Sequence, residues 1–174
     1  TLFPYPTLFR SERSFSFHRP PAADLLFRPG DFDAGAFASL AAFHCCSNSL
    51  TETGIAEATL HGMRLAADAG ALVSFDLNLR PALWPRDADP RPMAWRALES
   101  AHLVKLSAEE FAFLAADGGD VPTRLFANAA RALVVTDGAA PLRWWTANAG
   151  GSADAFAVES IDTTAAGDAF VGGL

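Results

Sequence analysis

The chain has 174 residues, and 20 Asp and Glu against 13 Lys and Arg give it a formal net charge of −7 at pH 7. Apolar residues make up 51% and charged residues 19%, a composition that supports a packed core and excludes a disordered chain. The acidic balance and the scattered basic residues argue against nucleic acid as a partner. No segment approaches the ~18 uninterrupted apolar residues of a membrane span, so we expect no membrane partner either.

The first eleven residues differ in character from the rest of the sequence. They follow neither a helical nor a strand period and carry Pro4 and Pro6 among Phe and Leu residues. This stretch is similar to translated sequencing-adapter sequence, so we expect residues 1–11 to be non-native and the native domain to occupy residues 12–174. Residues 14–17 alternate polar and aromatic side chains, which predicts a strand.

From residue 40 onwards, short apolar runs alternate with helical patterns. The runs predict strands at 40–46, 71–75, 103–106 and 133–136, and the stretches between them predict helices at 52–69, 93–100, 107–116 and 123–130. Ser107 and Glu110 form a capping-box pattern at the start of the third helix. Two antiparallel strands, 142–146 and 155–158, are expected around a turn at 148–151, before a last helix from about residue 167.

Continuous apolar strands joined by helices are typical of a parallel sheet that is covered on both faces. We therefore predict an α/β fold with a doubly wound, mainly parallel sheet. Ligands of such sheets bind outside the carboxyl ends of the strands, where the polar stretches 76–80, 105–110 and 136–138 follow predicted strands. The adjacent Cys45 and Cys46 are too few for a disulfide framework; we interpret them as the end of a buried strand in a reducing, cytoplasmic protein.

The strongest chemical motif is DTTAAGDAF at residues 162–170. Small residues before an apolar run suggest a turn that leads into a helix N-terminus, where backbone N–H groups stabilise an anion. Asp168 beside such a site could take a proton from a substrate hydroxyl as its oxygen attacks a phosphoryl group. In the alternative interpretation, Asp162 or Asp168 only caps the helix.

A second polar pattern follows the predicted strand 71–75. Asp76, Asn78 and Arg80 alternate there, so that a carboxylate, an amide and a guanidinium could meet substrate hydroxyls, phosphate or hydrated Mg²⁺. The structural alternative is a salt-bridged strand end. We interpret the nearby Trp84 as a packing residue of the loop rather than a platform for a sugar.

The motif at 162–170 resembles DTTGAGDAF, the C-terminal signature of the ribokinase-like (pfkB) carbohydrate kinases. Four other segments resemble fructokinase segments in the same order, namely ERSFSF, FDLNLRPALWP, VKLSAEEFAFL and VVTDG. The resemblance implies a three-layer α/β/α fold and Asp168 as the catalytic base. It assigns the anion hole to the backbone amides of Ala165, Ala166 and Gly167. Further roles that it implies are substrate or phosphate binding by Asp76, Asn78, Arg80 and Lys105, ATP binding by Thr136 and Gly138, and metal binding by Glu110.

The same resemblance implies an ATP-dependent sugar kinase that uses Mg²⁺, with the conversion of fructose to fructose 6-phosphate as the first candidate reaction. A 2-keto-3-deoxygluconate kinase stays open as an alternative. So does a catalytically silent sugar or nucleotide binder, because Ser107 and Pro141 depart from the common family pattern. The expected partners are a sugar and ATP, and a homodimer of the full-length protein is left open. Since family members are longer, we expect a partial domain that is inactive by itself.

Overall fold

The computed structural model describes residues 22–159 and 161–174, so the predicted strand at 14–17 and the segment 1–11 lie outside the described residues. The helices within the described ranges are α1 (Ala23–Leu26), α2 (Thr53–Asp68), α3 (Arg91–Leu98), α4 (Ala108–Ala115), α5 (Val121–Phe126) and α6 (Ala166–Gly172). The strands are β1 (Ala42–Cys46), β2 (Leu72–Asp76), β3 (Leu103–Ser107), β4 (Ala132–Asp137), β5 (Ala140–Thr146) and β6 (Gly150–Ala153). None of these helices is long and apolar enough to cross a membrane.

The strands form one six-stranded sheet in the order β1-β2-β3-β4-β5-β6. β1 to β4 are parallel, and β5 and β6 are antiparallel to their neighbours. The mainly parallel α/β sheet is therefore confirmed. Double winding is wrong for the described residues, because the strand order never reverses. Each right-handed crossover advances in the same direction, which places α2 to α5 on one face of the sheet.

The apolar core lies between the sheet and the helices α2 to α5. Alternate residues of the parallel strands point into it and are completely buried: Val73, Phe75, Val104, Leu106, Leu133 and Val135. The helices contribute apolar residues at helical spacing, such as Ala56, Met63 and Ala66 of α2. Because side chains alternate along a strand, the residues between these core positions project from the opposite face.

The strand that follows β5 does not lie where the sequence predicts it. β6 is Gly150–Ala153, and the predicted strand 155–158 has no regular structure. The Thr146 hydroxyl accepts the Ala149 N–H at 3.2 Å and so closes the turn before the glycines. A Cβ atom on either Gly150 or Gly151 would lie 3.1 Å from a Trp ring of β5. The two glycines therefore leave room for the indole rings of Trp144 and Trp145 where β6 pairs with β5, and they do not form the turn.

The fourth predicted helix, 123–130, begins earlier and is shorter than expected. α5 starts at Val121 because the Asp120 carboxylate caps it, accepting the Thr123 N–H at 2.8 Å. Pro122 occupies the first turn, where its missing N–H costs nothing. The other predicted helices agree with the structure to within about two residues, which is the ordinary scatter of helix ends.

Candidate active site

Three residues from neighbouring strands lie in one row on the face opposite the apolar core. Cys46 of β1 is paired in register with Asp76 of β2, and Asp76 is paired with Lys105 of β3. Residues in register on parallel strands project from the same face of the sheet. The row therefore brings a thiol, a carboxylate and an ammonium group together near the carboxyl ends of three strands. Ligands of α/β sheets bind at this end.

Asp76 and Lys105 form a buried ion pair at the centre of the row. Lys105 Nζ donates to Asp76 Oδ2 at 3.1 Å, and only 2% of Asp76 and 7% of Lys105 is exposed. Burial raises the pKa of the Asp76 carboxyl above its ordinary value, and the Lys105 charge acts against this rise. The pair confirms that Asp76 and Lys105 lie together. It also means that a substrate group must compete with an existing partner.

Helix α6 begins directly over this ion pair. Lys105 Nζ lies 3.3 Å from the position that a Cβ atom on Gly167 would occupy, so a glycine allows the ammonium group its close approach. Ala165 precedes the helix in the left-handed conformation, with φ of 57°. The Ala166 N–H donates to the Thr163 carbonyl at 3.2 Å, so one of the three predicted anion-hole amides takes part in the turn itself.

Asp168 lies in the first turn of α6 and does not cap it. The N-cap position belongs to Ala165, and no side chain makes a capping hydrogen bond to this helix. Asp162 accepts the Thr164 N–H at 2.8 Å within the preceding turn. The structure therefore does not support the capping interpretation of Asp168. The side chain is exposed beside the buried row.

Cys46 also lies in the site, although the sequence analysis did not assign it there. The charges that act on its thiol come from Asp76, Asp168 and Arg80, which shows that α6 and the segment after β2 face the end of β1. Burial is the main cause that raises the pKa of Cys46, and an Asn48 backbone hydrogen bond opposes it. Burial also raises the pKa of the neighbouring Cys45 to about 12. The prediction of a buried strand is wrong, however, because β1 lies at the edge of the described sheet and both cysteines are only half-buried. The signal that could have found Cys46 was its place at the end of an apolar run.

The segment after β2 does not continue the alternating pattern of the strand. β2 ends at Asp76, and Asn78 has a positive φ of 39°, so the predicted alternation of Asp76, Asn78 and Arg80 on one face is wrong. Asp76 Oδ1 instead accepts the Asn78 N–H at 3.2 Å, and the Arg80 side chain is exposed. Trp84 packs against the core and its indole nitrogen is buried, as the packing interpretation requires.

Glu110 joins this segment to the start of α4. Its Oε2 atom accepts the Ser107 N–H and its Oε1 atom accepts the Leu79 N–H, each at 2.7 Å. Ser107 Oγ accepts the Glu110 N–H at 3.1 Å, which completes the predicted capping box. Glu110 is also one of the negative charges that raise the pKa of Asp76. The carboxylate therefore lies beside the buried row with both of its oxygens engaged.

A wide cavity of about 1270 Å³ lies on the other side of the α6 N-terminus. Its lining includes Gly138 in the turn after β4, residues 155–159 and 161–163, and Ala166. Thr136 lies at the end of β4, where its hydroxyl points to the Leu106 carbonyl at 3.5 Å. The start of α6 thus touches the polar row through Gly167 and the cavity through Ala166.

The described residues do not form a metal site of their own. Within residues 22–159 and 161–174, no group of three His, Cys, Asp or Glu side chains is arranged to hold a metal ion. Both oxygens of Glu110 already accept backbone N–H groups, and Asp76 is paired with Lys105. The carboxylates of Glu110 and Asp76 are therefore already engaged by partners within the chain.

The fold is a mainly parallel α/β sheet, and a polar cluster and an open cavity lie near the start of its last described helix. The model of the pfkB family carbohydrate kinases matches residues 7–174, and the chain belongs to this family. Among curated proteins, the chain is 39% identical over 166 residues to "Probable fructokinase-4" of Arabidopsis thaliana, covering 94% of this chain and 51% of that protein.

Solved structures give the same result. The fructokinase of Xylella fastidiosa with bound ATP matches with a TM-score of 0.90 and 52% identity, over 93% of this chain and 52% of that chain. The fructokinase of Vibrio cholerae O395 in its fructose, ADP and calcium bound form matches with a TM-score of 0.76 and 34% identity, over 88% and 50%. The ribokinase-like α/β fold is thereby confirmed. The chain spans about half the length of the relatives that it matches.

Proposed function

We propose that the chain contributes the catalytic part of an ATP-dependent fructokinase. The observation that carries this proposal is the position of Asp168 in the first turn of α6, a turn that contacts the buried polar row through Gly167 and the wide cavity through Ala166. A phosphoryl donor in the cavity and an acceptor sugar over the row would meet at this helix. The matches to fructokinases on the sequence and structure level support fructose as the acceptor.

In the proposed reaction, the Asp168 carboxylate accepts the proton of a fructose hydroxyl as that oxygen bonds to the γ-phosphorus of ATP. The bond from the γ-phosphorus to the bridging oxygen breaks, and ADP leaves. Backbone N–H groups at Ala165 and Gly167 would stabilise charge that develops on the transferred group. The Lys105 ammonium lies against the same turn, where it can balance a phosphate charge when Asp76 releases it.

The remaining assignments extend the proposal along the site. Asn78 and Arg80 would contact the sugar or its phosphate, and Gly138 and Thr136 would lie near the nucleotide. The cavity lining includes Gly138, which supports the nucleotide side. Mg²⁺ would be held by ATP oxygens and water, a common arrangement for this ion, and no ligand among the described residues is assigned to it. We also propose a cytoplasmic location, where ATP is available, and leave the oligomeric state open.

A hybrid kinase tests the proposal. Residues 22–174 replace the matching segment of the Xylella fastidiosa fructokinase, whose fold they share with a TM-score of 0.90. We expect phosphorylation of fructose by ATP within about tenfold of the parent rate, because the catalytic groups are supplied by the grafted segment. The hybrid is also assayed with glucose, ribose and 2-keto-3-deoxygluconate as acceptors. A folded hybrid that does not turn over contradicts the proposal, and a shift of preference to 2-keto-3-deoxygluconate contradicts the choice of fructose.

A further inference from the structure

We propose that Glu110 is a positioning residue that fixes the 77–80 segment beside the reacting groups, and that it is not a metal ligand. The proposal rests on the proposed kinase function only for its catalytic consequence. The positioning itself is a property of the chain and can be measured without turnover. Glu110 acts through the segment that carries Asn78 and Arg80, so it has no need to touch the substrate.

The first argument is that both carboxylate oxygens are engaged by backbone donors. Oε1 accepts from Leu79 and Oε2 accepts from Ser107, and both distances are 2.7 Å. Hydrogen bonds of this length to an ionised carboxylate are charge-assisted and belong to the stronger class. A Mg²⁺ ion, which binds oxygen at about 2.1 Å, would place its charge beside both N–H groups and compete for the same oxygens.

The second argument is that a cap alone does not need the bond to Leu79. The capping box is complete with Ser107 and Glu110, which are three residues apart. Leu79 is 31 residues away along the chain, and it lies between Asn78 and Arg80 in a segment without regular structure. Glu110 therefore crosslinks two parts of the site that the fold brings together.

The third argument is that few other hydrogen bonds tie the segment to the rest of the chain. The Ser47 N–H donates to the Leu77 carbonyl at 3.3 Å. The Leu77 N–H donates to the Lys105 carbonyl at 3.2 Å, and the Asn78 N–H donates to Asp76 at 3.2 Å. These bonds precede Leu79 along the chain, and the Arg80 guanidinium only reaches the Leu79 carbonyl at 3.5 Å. After Leu79, the next hydrogen bond runs from the Leu83 N–H to the Arg80 carbonyl at 2.9 Å, within the following turn. Without Glu110, the Leu79 N–H would lose its bond to a distant part of the chain, and Leu79 would keep its packing against the core. Asn78 and Arg80 would then sample positions away from the row.

Amide hydrogen exchange on the 174-residue chain tests the positioning. In Glu110→Gln, the amide group presents a donor to one of the two N–H groups, so we expect exchange at Leu79 to accelerate at least tenfold. Glu109→Gln is the matched control, because Glu109 is the exposed neighbour in the same helical turn. The amide of Val104 in β3 should exchange as in the wild type in both variants. Unchanged protection of Leu79 in Glu110→Gln overturns the proposal.

A second variant keeps the test decisive if Glu110→Gln unfolds the chain. Glu110→Asp keeps the charge and the local cap but is one methylene shorter, so we expect Ser107 to stay protected and Leu79 to exchange at least tenfold faster. Equal protection of Leu79 in Glu110→Asp and the wild type overturns the proposal. Selective loss at Leu79 supports it, since a cap alone would not distinguish the two amides.

Kinetics in the hybrid kinase separate positioning from metal binding. We expect Glu110→Gln to lower kcat/KM at least tenfold and to leave the Mg²⁺ concentration for half-maximal activity within twofold of the wild type. A tenfold rise in that concentration would identify Glu110 as a metal ligand and overturn the proposal. If the hybrid shows no turnover, the proposed function fails, and the exchange result still decides whether Glu110 positions the segment.

Discussion

The buried ion pair allows a prediction whose size can be worked out from the structure. Lys105→Met keeps most of the length of the side chain and removes its charge, which leaves the Asp76 carboxylate buried and without its cation. Removing one partner of a buried pair costs about 3–5 kcal/mol. For a chain of this size, about 2–4 °C per kcal/mol converts this loss into a fall in Tm of about 6–20 °C.

Thermal and urea unfolding of four chains measures the effect: the wild type, Lys105→Met, Asp76→Asn and the double variant. The double variant should lose less stability than Lys105→Met, because no unpaired charge remains buried. Arg91→Met is the control, since Arg91 pairs with Asp89 and Asp117 on the surface, and we expect its Tm to stay close to that of the wild type. If Lys105→Met costs no more than Arg91→Met, the burial argument is refuted.

The same chains make a prediction about pH. The pKa of Asp76 in the folded chain is raised above its ordinary value of 3.8, chiefly by burial. The folded state therefore binds the Asp76 proton more tightly than the unfolded state does. The stability contributed by this tighter binding is fully present below pH 3.8 and is lost as the pH rises through the folded pKa of Asp76. The difference in unfolding free energy between the wild type and Asp76→Asn should fall over this window. A constant difference would contradict the raised pKa.

Three further outcomes follow from other residues. In the hybrid kinase, Asp168→Asn should lower kcat by about 10² to 10⁴ with little change in KM, and near-normal kcat would remove Asp168 from the catalytic role. Ala165→Gly should change the free energy of unfolding by about 0 to +1 kcal/mol, because release of the left-handed strain is partly offset by unfolded-state entropy; a clear loss by urea unfolding would contradict this. His102 accepts the Val73 N–H at 3.1 Å through Nδ1, and burial lowers its pKa below 6.5, so stability should be lost as the pH falls through the lowered pKa. Thermal unfolding should show that His102→Gln abolishes this loss.

Local patterns in the sequence predicted the local structure well. The apolar runs gave strands within about two residues of the observed ends, and the Ser107–Glu110 pattern forms the capping box that it indicates. These features depend on residues close in sequence, so spacing alone carries the information. The start of α5 is also a local feature. Asp120 followed by Pro122 is a sequence signal for a helix N-terminus, but the weak helical pattern after it placed the predicted start two residues too late.

The missed features depend on contacts between distant residues. No local pattern pairs Leu79 with Glu110, or places the Lys105 ammonium against Gly167, because strand register and helix docking decide both contacts. The alternation predicted after β2 failed for a similar reason. The strand ends when the chain turns at Asn78, and this turn is stabilised by Asp76 from within the site. Sequence spacing identified which residues gather at the sheet edge but not how they bond to one another.

The docking of α6 has a consequence for how such a chain can change over generations. The connection from β6 to α6 has no regular structure along residues 154–159, whereas the helix start rests against Lys105 through Gly167. The place of Asp168 is therefore set by where α6 seats and only weakly by the length of the connection. Changes in the length of that connection therefore need not move Asp168, although residues 155–159 also line the cavity. Gly167 is more constrained, because a Cβ atom there would lie 3.3 Å from the Lys105 ammonium group, which would have to move by a few tenths of an ångström.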